Sequence, residues 1–168
     1  MSFKSIGTEL VAQGLLSVRD LDVAASTHLE KNETFIRTIS DLGLIDQSLL
    51  ADFLSEYADI PRYKLAGKKL DLSILRMVPG EVARRYSFFP LFKVKDTLFV
   101  AMADPLDHKA IEELEFHTRC RIEPVVSTLS EITAVLDQHF GVFTSIKKII
   151  DDLDVQGLSD ITHGMVEN

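Results

Sequence analysis

The stretch FFPLFKVKDTLFVAMAD, Phe88–Asp104, holds two apolar runs separated by Lys95 and Asp96. Runs of this length, rich in Phe, Val and Leu and broken by a polar pair, predict two strands. They lie at about Ser87–Val94 and Thr97–Met102, joined by a tight turn. Asp104–Pro105 ends the second strand, because proline has no N–H to give to a ladder.

Downstream, His108–Thr118 fits a helix on which Ile111, Leu114 and Glu115 lie close together. CRIEPVVS then supplies a third strand, and Pro124 predicts that it is short or at an edge. Thr128 and Glu131 form a capping box ahead of Ile132, Val135, Leu136 and Phe140, with Gly141 as a stop. SIKKIIDDLDV predicts one more amphipathic helix before a polar tail. Upstream, DLSILRMVP suggests a short helical turn, and Pro79 opens a helix running through Val82 to Tyr86.

The amino-terminal third has a different pattern, repeated. AQGLLSVRDLDVAASTHL, Ala12–Leu29, is echoed by DLGLIDQSLLADFLSEYA, Asp41–Ala58. Gly14 and Gly43 stand 29 residues apart, and the same offset pairs Ser17 with Asp46, Leu10 with Ile39 and His28 with Tyr57. In each copy a short helix ends at the glycine and a second helix starts at the polar cap. IPRYKLAGKKL, with Pro61 and Gly67, breaks the pattern and reads as an extended linker. The expected fold class is α+β. A duplicated helical subdomain over 1–60 packs against a small α/β subdomain with about three strands over 61–141, and a helix and tail occupy 142–168.

Composition sets limits on function. The 168 residues are 46% hydrophobic, enough for a real core, and the net charge is −8. That balance argues against general binding to a nucleic-acid backbone, which needs a Lys and Arg patch. Cys120 is the sole cysteine, so no intrachain disulfide forms, which fits a reducing compartment. No window reaches 18 apolar residues and the first residues lack a long apolar core. The expectation is therefore a cytoplasmic protein without secretory signal or membrane span, which could attach to a membrane through another protein.

Catalytic signatures are missing from the sequence. LAGKKL, with Gly67–Lys69, lacks the first glycine and the hydroxyl residue of a phosphate loop. His28, His108, His117, His139 and His163 make no H-E-x-x-H pair, and Cys120 has no companion for zinc. Glu112, Glu113 and Glu115, like Asp151, Asp152 and Asp154, fit solvated helix faces better than paired catalytic acids. His28 suits either a polar seam between subdomains or a ligand contact. Asp104 suits a turn-forming carboxylate first and a ligand acceptor second. Arg84 and Arg85 suit pairing with acidic residues of a partner domain.

LDLSILRMVPGEVARRYSFFPLFKVKDTLFVAMADPLD, followed by RIEPVVSTLSEITAVLDQHFG, resembles the N-terminal domain of the assembly ATPases of type II secretion systems and type IV pili. The resemblance covers about residues 1–141. It implies a noncatalytic module that docks an ATPase motor, in cis or in trans, on the cytoplasmic domain of an inner-membrane platform protein. Some relatives bind cyclic di-GMP through a duplicated R-L-G-x-x-L-x-x-x-G-L-I unit. By that resemblance the candidate ligand residues are Gly7, Gly14, His28, Arg37, Gly43, Tyr57 and Asp104. His28 and Tyr57 take glutamine positions, Arg37 takes a position where binders carry Asp, and Asp104 matches a binding carboxylate. Ser5 and Thr34 stand where arginines are expected, and Ile36 replaces a glycine. Loss of both fork-shaped donors argues against cyclic di-GMP, and no cofactor is expected. The leading expectation is a docking and regulatory module, and the alternative is a nucleotide sensor.

Overall fold

Phe88–Val94 (β1) and Thr97–Met102 (β2) form an antiparallel hairpin, with Val94 opposite Thr97 and Phe88 opposite Met102. The computed structural model describes residues 3–141. The expected helix and tail over 142–168 lie outside the described residues. β1 begins at Phe88 rather than Ser87, because Ser87 is left-handed (φ 52°) and caps the preceding helix. That backbone conformation has no place in a strand.

Arg121–Val126 (β3) pairs in parallel with β2, giving the order β1-β2-β3. Parallel neighbours need a crossover, and the helix His108–Thr118 supplies it. Pro124 sits opposite Val100 on this outer strand, where a missing N–H is tolerated. Ahead of the hairpin run a 3-10 turn, Leu72–Met77, and a helix, Gly80–Tyr86, opened by Pro79. After β3 a helix covers 129–141. Its capping box is reciprocal: Thr128 Oγ1 accepts from the Glu131 N–H at 3.1 Å, and Glu131 accepts from the Thr128 N–H at 3.2 Å.

The amino-terminal part is four helices, α1 (Phe3–Ala12), α2 (Val18–Lys31), α3 (Phe35–Leu42) and α4 (Gln47–Ala58). In chain order the helices already described are α5 (Gly80–Tyr86), α6 (His108–Thr118) and α7 (129–141). The 29-residue echo is physical. Leu15 N–H bonds Leu10 O at 2.9 Å, and Leu44 N–H bonds Ile39 O at 3.2 Å. Gly14 and Gly43 turn these ends at φ 71° and 64°, where a side chain is strained. The second helix of each copy starts at a polar cap. Asp46 accepts from the Ser48 and Leu49 N–H groups, and Ser17 accepts from the Asp20 N–H. Asp20 in turn accepts from the Ser17 hydroxyl at 2.8 Å. The copies also differ at their starts, since Ser5 lies within α1 whereas Thr34 caps α3 from outside.

Two apolar clusters result. One joins the sheet to α5, α6 and α7, with Phe88, Leu98, Val100, Leu114 and Ile132 almost wholly buried. The other fills the helical part around Leu10, Ile39 and Leu54. Val126, at the end of β3, belongs to the helical cluster. The chain between the two parts runs beside it: Tyr63 N–H bonds Val126 O at 2.8 Å, and Val126 N–H bonds Pro61 O at 2.9 Å.

Candidate functional site

Where the helical part meets the α/β part, a cleft of about 770 Å³ opens. Its walls come from the end of α2, the α2–α3 turn, the end of α5 and the loop from β2 into α6. That volume suits a small-molecule or side-chain recess.

Thr34 organises one wall. As the α3 cap its hydroxyl oxygen accepts from the Arg37 N–H at 3.2 Å. The same hydroxyl bonds the Asp104 side chain across the cleft. Asp104 is 7% exposed, and its carboxyl also accepts from the Leu106 N–H at 3.1 Å. The turn-forming role expected from Asp104–Pro105 is thus present, inside a recess. Burial pushes its carboxyl up to about 6, against the lowering effect of the bonds from Thr34 and Leu106.

Arg37 reaches in two directions. Its Nε donates to Asp41 at 3.1 Å, one helical turn on, and an Nη donates to the Ser87 hydroxyl at the end of α5. Gln47 adds a further tie between the parts, its Oε1 accepting from the Ser130 N–H at 2.9 Å and hydroxyl at 2.7 Å. On the α2 side, the His28 Nδ1 bonds the Glu33 carbonyl, and its ring meets Phe35 edge-on at 6.2 Å.

Of the residues proposed from sequence, His28, Arg37 and Asp104 line the cleft together. Gly7, Gly14, Gly43 and Tyr57 do not line it. Gly7 is a packing position: a Cβ there would stand 2.5 Å from Leu21 Cδ1. Gly14 and Gly43 make exposed turns, and Tyr57 stacks on Phe53 at 5.3 Å. Arg84 finds its acid inside the chain, at Asp137 (2.7 Å), rather than awaiting a partner domain. Arg85 is exposed and lines the cleft.

Sequence reasoning missed Glu33 and the bridging role of Thr34. The cap signal of Thr34 ahead of FIRTISDL was available, but its distant acceptor was not. Among the described residues no group of three or more His, Cys, Asp or Glu is placed to hold a metal ion. None of the described helices is long and apolar enough to cross a membrane.

Comparison with known proteins gives a consistent set of relatives. Residues 58–145, just over half of the chain, match the MshEN domain. The type IV pilus assembly ATPase PilB of Myxococcus xanthus is 31% identical over 166 residues, covering 96% of this chain and 29% of that protein. PilB of Thermus thermophilus is 27% identical over 139 residues, 82% of this chain and 16% of that protein. The chain therefore spans less than a third of these relatives. Among solved structures, MshE with cdg aligns at a TM-score of 0.61 and 25% identity, over 79% of this chain and 96% of that one. The N-terminal domain of XpsE aligns at 0.65 and 17% identity, over 82% and 95%, and shares the fold.

Proposed function

The chain belongs to the MshEN-domain family, and from that premise we propose that it is a noncatalytic docking and regulatory module of a pilus or secretion assembly ATPase. One observation carries the reading. Identity to a pilus assembly ATPase runs along 96% of this chain while occupying 29% of that protein. A motor would then lie elsewhere, in cis or in trans, and this module would couple it to the cytoplasmic domain of an inner-membrane platform protein. The setting is cytoplasmic. The fold suits such a role, because Val126 and the Arg37–Ser87 and Gln47–Ser130 bonds tie two parts into one body that can transmit force. Calorimetric titration of the chain with the platform protein's cytoplasmic domain, and with the motor, tests the proposal. Binding of either supports it, and failure of both with a folded chain removes it.

A second reading, a cyclic di-GMP sensor, is favoured by the cleft that gathers His28, Arg37 and Asp104. MshE, a relative, has been solved with cdg. Against it, Ser5 is exposed on α1 and Thr34 already serves Arg37 and Asp104. Neither carries the guanidinium fork suited to phosphate or guanine. Saturable binding of cyclic di-GMP in the micromolar range would establish this reading. No heat and no NMR shift at millimolar ligand would end it.

A further inference from the structure

Two acceptors in the cleft wall have more hydrogen-bonding capacity than the protein uses. Asp104 accepts from Thr34 and from Leu106, whereas a carboxylate offers about four lone-pair sites. Glu33 precedes Thr34 in the chain, and its Oε2 is buried with no hydrogen-bond partner among the described residues. A buried carboxylate oxygen without a donor is costly unless something supplies one. Among the described residues, His108 lowers the Asp104 carboxyl through its charge, and the two arginines of the lining are placed otherwise. Arg37 bonds Asp41 and Ser87, and Arg85 is exposed beside the Tyr86 ring, 6.0 Å from its centroid.

We propose that the cleft receives an arginine or lysine side chain from the docking partner, with its N–H donors directed to Asp104 and Glu33. The inference rests on the docking reading above and names what the partner inserts. A guanidinium brings five donors in a planar fork and a positive charge. Two carboxyl groups lining one cleft match a cation better than they match a neutral base or a phosphate. A cleft of about 770 Å³ exceeds one side chain, so it has room for the backbone that carries it. Arg85 and Lys109, both exposed on the lining, suit acidic residues flanking that arginine.

The probe is a blocked Glu-Arg-Glu tripeptide, titrated into the isotope-labelled 168-residue chain and followed by amide NMR. Saturable shifts are expected at residues 33–37 and 103–109 below about 20 mM peptide. The matched peptide with citrulline, a neutral isostere of arginine, is expected to bind about tenfold more weakly or worse. The double variant Glu33→Gln/Asp104→Asn is expected to lose affinity to a similar extent while keeping its dispersed spectrum. Absence of saturable shifts, equal binding of the citrulline peptide, or tighter binding of GMP at the same amides would overturn the inference. A platform domain that binds wild type and double variant equally also overturns it, and leaves docking intact. Failure of both the platform domain and the motor to bind either protein, with the tripeptide still at the cleft, supports the cation site and removes the docking reading.

Discussion

The Thr34 hydroxyl joins two jobs: it caps α3 by accepting from the Arg37 N–H, and it bonds Asp104 on the opposite wall of the cleft. Local helix chemistry and the contact between the two parts of the fold therefore share one oxygen atom. Thr34→Val keeps the shape and removes both bonds. Loss of a cap costs about 1 kcal/mol, and removing a donor from a buried carboxyl costs about as much again. Thr34→Val should thus lose about 2 kcal/mol in urea unfolding, and Thr34→Ser should keep most of it. Equal stability of Thr34→Val and wild type would show that the bond has no energetic weight.

Asp104 sets a pH dependence whose sign follows from burial. Its carboxyl is raised from an ordinary 3.8 to about 6, so the folded state holds the proton more tightly than the unfolded chain does. The stability this group contributes is fully present below pH 3.8, declines as pH rises towards 6, and is flat above. The total change is about 3 kcal/mol. Asp104→Asn has no such titration, while the other groups titrate in both proteins. The stability of wild type minus that of Asp104→Asn should therefore fall across this window in paired urea melts. A difference that rises with pH would mean the carboxylate is paired and its value depressed.

The hairpin and the 29-residue echo were legible because both are local. Alternation, a polar turn pair and a glycine before a capped helix are set within a dozen residues. The cleft was not legible, since its walls come from around residues 28–37, 85–87 and 103–109. His28 and Asp104 were open to a ligand role from their own chemistry, Arg37 entered through resemblance, and Glu33 has no pattern of its own. Arg84 and Arg85 show the same limit at finer scale. Adjacent helical residues point about 100° apart, so one meets Asp137 and its neighbour faces the cleft. Sequence places the pair on a helix but does not say which side either arginine takes.

Gly14 and Gly43 offer a test of the repeat as architecture. A Cβ would meet nothing within 4 Å at either site, so the cost of alanine comes from the left-handed backbone alone. Each Gly→Ala change should cost about 1 kcal/mol. The sites are in separate turns, and the double variant should lose the sum. A much larger loss at Gly43 alone would mean that the two copies do not share this turn energetically.

Val126 decides whether the two parts unfold together. It belongs to β3 by hydrogen bonding, with Met102 as its register partner, yet its side chain is fully buried in the helical cluster. The Pro61–Tyr63 segment bonds it on the other side. Destabilising this residue should therefore be felt in both apolar clusters. Val126→Ala removes two methyl groups from a packed site and should cost about 2 kcal/mol. If the parts are one cooperative unit, hydrogen exchange at Leu10 and Ile39 in the helices, and at Leu98 and Val100 in the sheet, should accelerate by the same factor. Acceleration confined to the helices would instead show that the sheet stands alone. The module would then flex at the cleft rather than carry load as one body, and the docking mechanism would have to run through a moving seam.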